Sequence, residues 1–170
     1  MGFSLVIVGF DPGLATLGYG VIRVEQGKIS MIDYGAVLTP KEENLAVRLA
    51  MLEEGVKQII DTYNPDEIAI EELFFAKNVT TGINVAHARG VILLTAVKSC
   101  GKIYEYTPLQ IKQALTGYGR ADKHQVQEMV KVMLRLKKIP KPDDAADALS
   151  VALTHSQTNK FGALYSLKGK

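Results

Sequence analysis

The amino-acid sequence predicts one α/β domain with a mixed five-stranded sheet flanked by helices. Three strand-like runs stand together near the start of the chain, which favours an antiparallel meander. After them, helical patterns alternate with two further short strands, as in sheets whose strands are joined by helical crossovers. The 170 residues are enough for one domain with a substantial core and short for two.

The strand predictions rest on apolar and β-branched runs bounded by turn residues. The predicted strands lie at about residues 3–10, 19–24, 29–38, 67–71 and 102–106. The first run is almost continuously apolar, which is typical of a buried central strand, and Asp11 closes it. The fourth run is also apolar and ends in Glu71.

The helix predictions rest on capping residues and on apolar residues at helical spacing. The helices are expected to begin near residues 39, 79, 108, 122 and 143. The first follows Thr39 to Glu42, a capping-box pattern with proline at the first helical position, or begins one turn later. Asp122 is predicted to cap the fourth helix and Asp143 the fifth. The fourth helix is expected to bury Val126, Met129, Val130 and Met133 and to expose Lys123, Gln127, Lys131 and Arg135.

Composition favours a cytoplasmic globular protein. A hydrophobic share of 47% with 22% charged residues is ordinary for that class. No run approaches the ~18 apolar residues of a membrane span, and the first apolar run lacks the basic start of a signal peptide. The single Cys100 cannot form an internal disulfide, which agrees with a reducing compartment. The predicted domain covers residues 1–158, and residues 159–170 are expected to form a flexible basic tail.

Charge is distributed unevenly along the chain. Residues 1–97 carry 7 Lys and Arg against 12 Asp and Glu, whereas residues 98–170 carry 13 against 6. The C-terminal half could therefore face a polyanion such as nucleic acid. A solvated helix face with a basic tail explains the same numbers equally well.

Four carboxylates stand where apolar neighbours make an isolated negative charge costly. Asp11 and Glu71 close apolar strands, and Asp144 and Asp147 lie in the first turns of an apolar helix. Two like charges about 4 Å apart repel by roughly 4 kcal/mol at an effective dielectric near 20, so such a group must bind protons or cations. The pattern predicts metal-dependent phosphodiester chemistry, and oxygen ligands suit Mg²⁺ or Mn²⁺.

Each carboxylate also has an ordinary structural explanation. Acidic residues favour helix N-termini, which accounts for Asp143 but less well for Asp147, a full turn inside an apolar helix. The Asp-Pro-Gly sequence at 11–13 is a common turn. Alternation along a strand puts Glu71 and Glu72 on opposite faces, which by itself does not decide which of them belongs to the site.

Four segments of the sequence closely resemble the RuvC family of Holliday-junction resolvases. They are Phe10-Asp11-Pro12-Gly13 with Gly18-Tyr19-Gly20, the stretch from Ala69 to Asn78, Ala88-Arg89-Gly90, and the stretch from Asp144 to Leu149. The segments occur in the family's order and spacing, and the resemblance extends from about residue 4 to His155. It implies a ribonuclease H-like fold and a homodimer that nicks two strands of a four-way DNA junction symmetrically. It also suggests a branch-migration complex as a partner.

The resemblance also implies a catalytic metal site. It assigns metal binding to Asp11, to Glu71 in preference to Glu72, and to Asp144 and Asp147. Two Mg²⁺ ions are expected, with Mn²⁺ as a substitute. In such a site one ion activates the attacking water and the other stabilises the leaving 3′ oxygen, which leaves 5′-phosphate and 3′-hydroxyl ends. The sequence has no His and Cys spacing typical of zinc.

Two lysines match basic positions that the family places near the scissile phosphate. These are Lys112 and Lys123, whose charge would offset that of the transition state. Arg120 and Lys131, together with Lys123, are predicted to hold backbone phosphates. The alternative for each is an ordinary surface cation.

The segment after the fourth strand is predicted to contact DNA. Phe74 is the residue expected to stack on a base at an opened junction, followed by Lys77 and Asn78 for phosphate contact. Core packing is the commoner role of phenylalanine and remains the alternative. The long second helix is apolar in nearly every direction, which predicts that part of it forms the homodimer interface.

Three other functions compete with junction resolution. A related nuclease could act on flaps or damaged duplexes, since the choice of junction depends on dimer geometry. A non-catalytic junction-binding module is disfavoured, because a binder has no reason to keep four repelling carboxylates at its DNA face. An actin-like phosphotransferase would need two lobes, for which 170 residues are too few.

Overall fold

The computed structural model describes residues 4–72 and 79–158, and within them the chain forms five strands and five helices in the predicted order. The strands are β1 (Ser4–Asp11), β2 (Thr16–Glu25), β3 (Lys28–Leu38), β4 (Glu67–Glu71) and β5 (Ile103–Tyr106). The helices are α1 (Leu45–Tyr63), α2 (Val79–Ser99), α3 (Pro108–Thr116), α4 (Lys123–Met133) and α5 (Asp143–Thr158). The tail predicted at 159–170 lies outside the described residues.

The sheet is mixed, and its strand order is β3-β2-β1-β4-β5. β1, β2 and β3 form the predicted antiparallel meander. β1, β4 and β5 run parallel to one another, joined by helical crossovers. The last paired residues of β1 and β4 are Phe10 and Ile70, so the next residues, Asp11 and Glu71, end two neighbouring strands at the same edge of the sheet.

The two faces of the sheet carry different helices. On one face Ile7 and Ala69 pack with residues of α3, α4 and α5, including Leu149. On the other face Val8 and Ile70 pack with residues of α1 and α2. Because side chains alternate along a strand, Asp11 and Glu71 belong to the face that α5 covers.

α5 lies unusually close to the middle of the sheet, and glycines make the approach possible. A Cβ atom at Gly9 would overlap the carbonyl oxygen of Ala148, and one at Gly18 would overlap that of Asp144. Gly18 is also the β2 partner of Asp11. Because Gly9 and Gly18 have no side chains, the first turns of α5 can pack directly on β1 and β2, and this fixes their distance from the end of β1.

The helix caps differ from the sequence prediction in two places. Asn44, not Thr39, caps α1, and its side chain accepts a hydrogen bond from the backbone N–H of Val47. The Thr39 hydroxyl instead donates to the carbonyl of Leu14 over 2.6 Å, which fixes the end of β3 against the turn after β1. Asp143 is the first residue of α5 and not the residue before it, so the prediction that it caps α5 was wrong. The predicted capping box at Asp122 was confirmed.

The C-terminal half of α5 is held by a buried polar network. His155 is 1% exposed, with Nδ1 2.6 Å from the Tyr106 hydroxyl and Nε2 2.7 Å from a carboxylate oxygen of Glu67. Burial lowers the pKa of His155 below its usual value, although Glu67 opposes this shift. The neutral ring accepts from Tyr106 and donates to Glu67, which ties α5 to β4 and β5.

None of the helices in the described parts of the chain is long and apolar enough to cross a membrane.

Candidate active site

Three elements bring the predicted carboxylates together at one edge of the sheet. β1 and β4 end in Asp11 and Glu71, and α5 starts above them with Asp144 and Asp147. The two α5 residues are three positions apart, so they project from one side of the same helical turn. The other three carboxylates all lie within electrostatic range of Asp11, since Glu71, Asp147 and Asp144 each raise its pKa.

Asp11 is the carboxylate most disturbed by this arrangement. Burial, followed by the charges of Glu71, Asp147 and Asp144, raises the pKa of Asp11 from 3.8 to about 8. Asp11 therefore carries its proton at neutral pH when no cation is present, and its hydrogen bond to Glu71 favours the same state. The site holds more negative charge than it can keep ionised without a cation.

The pKa values of Glu71 and Asp147 are raised as well. Burial and then the charge of Asp147 raise the pKa of Glu71, against hydrogen bonding by Asp11 and the charges of Lys123 and Lys112. Burial raises the pKa of Asp147 as well, against its hydrogen bond and ion pair with Lys123. The two lysines thus offset part of the charge that the four carboxylates share.

A cleft of about 190 Å³ opens beside these carboxylates. Its lining includes the carboxylates of Glu71 and Asp147 and the ammonium groups of Lys112 and Lys123. Lys123 Nζ lies 2.7 Å from an oxygen of Asp147. Burial alone would lower the pKa of Lys123, but Asp147, Asp143 and Asp11 together raise it, so the ammonium stays charged. Acidic and basic groups thus line the same solvent-open cleft, and one pair of them is in direct contact.

The charge of the site suits a divalent metal ion, but the side chains that the structure describes there are not arranged in metal-binding geometry. Hard carboxylate oxygens and an unmet negative charge are what divalent cations such as Mg²⁺ or Mn²⁺ require. Yet among residues 4–72 and 79–158 no group of three or more Asp, Glu, His or Cys side chains converges in metal-binding geometry. Lys123 lies on Asp147, so metal binding requires this side chain to share or release that carboxylate.

Sequence reasoning placed Gln127 on the wrong side of α4. It was predicted to be exposed, but only 5% of the residue is accessible, and the core residues Val126 and Val130 stand beside it on the helix. Its amide contributes to lowering the pKa of Asp147 on α5. The available signal was the three-residue spacing of Gln127 from Val130, which was predicted to be buried, since residues at i and i+3 lie on one helix face.

The outer cations lie away from the cleft. Arg120 is exposed in the turn before α4, and Lys131 forms an ion pair with Glu128 over 2.9 Å. Neither of them lines the cleft between Glu71 and Lys123. Glu72 is exposed just past the end of β4. The predicted DNA contacts Phe74, Lys77 and Asn78 lie outside the described residues.

The chain is similar to known proteins over nearly its whole length. Residues 7–155 match the family model of crossover junction endodeoxyribonuclease RuvC. The protein of that name from Clostridioides difficile is 54% identical over 157 residues, which are 92% of this chain and 93% of that one. The namesake from Alkaliphilus oremlandii is 51% identical over 164 residues, which are 96% of this chain and all of that one.

Solved structures give the same result. The structure described as T. thermophilus RuvC in complex with Holliday junction substrate superposes with a TM-score of 0.90 at 35% identity and covers 96% of this chain and 99% of that one. The yeast mitochondrial Holliday junction resolvase Ydc2 superposes with a TM-score of 0.63 at 11% identity, which shows a shared fold. The fold is thus ribonuclease H-like, as predicted, and the chain belongs to the RuvC family of crossover junction endodeoxyribonucleases.

Proposed function

We propose that this protein is a structure-selective endonuclease that resolves four-way DNA junctions in recombination and repair. The observation that carries the proposal is the group of four carboxylates at the end of β1 and β4 and the start of α5, where burial and the three neighbouring carboxylates raise the pKa of Asp11 to about 8. Family membership and the junction complex of the T. thermophilus relative supply the substrate class. We expect the enzyme to act in the cytoplasm, together with a branch-migration complex.

The carboxylates would hold two Mg²⁺ ions, for which Mn²⁺ could substitute. Asp11, Glu71, Asp144 and Asp147 are the residues that would bind them, and Asp11 would lose its proton in doing so. Divalent ions in such a site supply an activated water and stabilise the leaving 3′ oxygen of the cleaved strand. The products would carry 5′-phosphate and 3′-hydroxyl ends.

The lysines of the cleft would position and neutralise the scissile phosphate. Lys112 and Lys123 line the same cleft of about 190 Å³ as Glu71 and Asp147, so an entering phosphate would come close to both ammonium groups and to the metal-binding carboxylates. Lys123 forms an ion pair with Asp147, and the phosphate would offer Lys123 a second negatively charged partner. A cation fixed beside the reacting phosphate stabilises the additional charge of the transition state.

Paired nicks require two active sites, and α2 provides a surface that could join them. Ile83, Leu94 and Val97 are each more than half exposed, and together with Ala86 and Gly90 they form one stripe of apolar and small residues along the helix. The opposite side of α2, with Ala88 and Ile92, is buried against the rest of the domain. We propose that this stripe forms the interface of a two-fold homodimer.

The proposal is tested by presenting the protein with several DNA structures. Synthetic four-way junction, flap and linear duplex are incubated with Mg²⁺, with Mn²⁺ and with EDTA, and both binding and cleavage are measured. We expect selective cleavage of the junction with either metal, and binding without cleavage in EDTA. Preferential cleavage of the flap would instead favour a nuclease for other branched DNA. Binding to the junction with no cleavage under any condition would favour a non-catalytic module.

A further inference from the structure

Gln127 is a buried polar residue whose position the proposed chemistry does not yet explain. It lies on α4 between the core residues Val126 and Val130 and is 5% exposed. Among the described residues, its Nε2 has no hydrogen-bond partner of ordinary geometry. A buried amide that lacks a partner is unfavourable, so an aliphatic residue would suit the fold better at this position.

The surroundings of Gln127 connect it with Asp147. Lys123 and Gln127 are one helical turn apart on α4. Lys123 Nζ lies 2.7 Å from an oxygen of Asp147, and the Gln127 amide is close enough to the same carboxylate to lower its pKa. The backbone carbonyl of Asp147 is separately fixed by a hydrogen bond from the Ser150 hydroxyl. Asp147 therefore meets α4 through one charged, half-exposed side chain and one neutral, buried side chain.

These two neighbours of Asp147 differ in how freely they can move. The side chain of Lys123 is 57% exposed, so it can turn towards a phosphate that enters the cleft. Gln127 is only 5% exposed, so its side chain does not have this freedom. An amide N–H orients a carboxylate without competing with a cation for its charge, and ligands of a metal are commonly held by such outer hydrogen bonds.

We propose that Gln127 is a positioning residue whose Nε2 holds the Asp147 carboxylate in place as a metal ligand once Lys123 has turned to the scissile phosphate. The inference rests on the proposed metal-dependent function, which it deepens. In this arrangement the amide of Gln127 finds its hydrogen-bond partner when metal and DNA are bound, because Asp147 has then lost its contact with Lys123. The role is distinct from that of a catalytic residue, since Gln127 does not line the cleft.

The test compares Gln127→Met, which keeps length and apolar packing but cannot donate, with the wild-type protein. Mn²⁺ binding to the protein alone is measured from the loss of the free-ion signal in electron paramagnetic resonance. We expect Mn²⁺ to bind about tenfold more weakly to the variant, while the melting temperature and junction binding in EDTA stay at wild-type values. The Mg²⁺ concentration for half-maximal cleavage should rise similarly, and the rate at saturating Mg²⁺ should largely recover.

Two further variants make the result decisive. Gln113→Met removes an exposed amide of α3 and should leave Mn²⁺ binding unchanged. Gln127→Ala also lacks the donor and replaces the methionine variant if that one fails to fold. Wild-type Mn²⁺ affinity in a folded Gln127 variant would overturn the inference and leave the proposed function intact. A wild-type protein that neither binds Mn²⁺ nor cleaves with any metal would instead overturn the proposed function itself.

Discussion

Among the carboxylates of the site, the charge of Asp11 is the most strongly opposed, and this has a consequence for stability. Its pKa is about 8 in the folded protein and near 3.9 in an unfolded chain. Below about pH 4 the residue is protonated in both states and costs nothing. As the pH rises from 4 to 8 the unfolded state gains stability by ionising, so the folded protein is destabilised throughout that range.

Asp11→Asn should therefore stabilise the metal-free protein at pH 8 and leave it almost unchanged at pH 4. We expect a gain of several kcal/mol, at about 2–4 °C in melting temperature for each kcal/mol, measured by thermal unfolding in EDTA at both pH values. Equal stability of the two proteins at pH 8 would mean that Asp11 ionises freely. The same variant should bind junction DNA but not cleave it.

The two adjacent glutamates at the end of β4 provide a direct control for the site. Glu71 lines the cleft, whereas Glu72 is exposed past the end of the strand. Glu71→Gln should reduce the cleavage rate by about a hundredfold or more, since it removes one of the four charged ligands proposed for the metal, with binding in EDTA kept or improved. Glu72→Gln should cleave like the wild-type protein in the same single-turnover assay, and the reverse pattern would place the active site on the other face of β4.

The lysines should separate by their distance from the cleft. Lys112→Ala and Lys123→Ala should lower the single-turnover cleavage rate more than junction affinity, because both side chains face the carboxylates. Lys131, which pairs with Glu128 on the outer part of α4, serves as the comparison. Lys131→Ala should mainly weaken binding and reduce its salt dependence by about one ion. Identical behaviour of all three variants would argue for a general DNA-binding face without a catalytic cation.

At the scale of elements, the active site depends on how closely α5 approaches the sheet. Gly18 has no side chain between Asp11, its partner on β1, and the backbone of Asp144. A methyl group there would have to push the first turn of α5 outward, because it would meet a backbone carbonyl that cannot rotate away. The distance between strand carboxylates and helix carboxylates would then increase.

Gly18→Ala should thus lose most metal-dependent cleavage and also lower stability by about 1–3 kcal/mol through overpacking. Gly35→Ala is the matched control, since the atoms nearest to a Cβ there belong to the ring of Tyr19, a side chain that can shift where a backbone carbonyl cannot. Cleavage and thermal unfolding are measured on both. Wild-type cleavage by a folded Gly18→Ala protein would show that the height of α5 does not determine the site.

At the scale of the whole molecule, the proposed dimer interface on the exposed stripe of α2 is expected to determine how many strands are cut in one encounter. Leu94→Glu places a charge in the stripe, and Val132→Glu places one on an equally exposed apolar position of α4 as a control. We expect sedimentation to show a monomer for Leu94→Glu and a dimer for Val132→Glu. On a supercoiled plasmid with a cruciform, the dimer should produce linear DNA and the monomer nicked circles. A wild-type protein that is monomeric yet produces linear DNA would contradict the dimer mechanism.

Much of this architecture followed from the sequence, because its signals are local. Continuous apolar runs predicted β1 and β4 and placed Asp11 and Glu71 at their ends, whereas the preference for Glu71 over Glu72 came from the resemblance to the RuvC family. The spacing of Asp144 and Asp147 placed both on one turn of α5, and their apolar neighbours explained why their charge is costly. The capping box at Asp122 fixed the start of α4 from two residues alone.

Tertiary structure decided what depends on distant parts of the chain. Thr39 is a residue type that often caps helices, but its hydroxyl donates a hydrogen bond to the carbonyl of Leu14. Asn44 caps α1 instead. Gln127 has a polar side chain, but the packing of α4 on α5 buries it beside Asp147. The ion pair of Lys123 with Asp147 and the raised pKa of Asp11 likewise require groups from several elements. Sequence pattern determines which residues can form an element, whereas burial and charge at a site depend on which elements meet there.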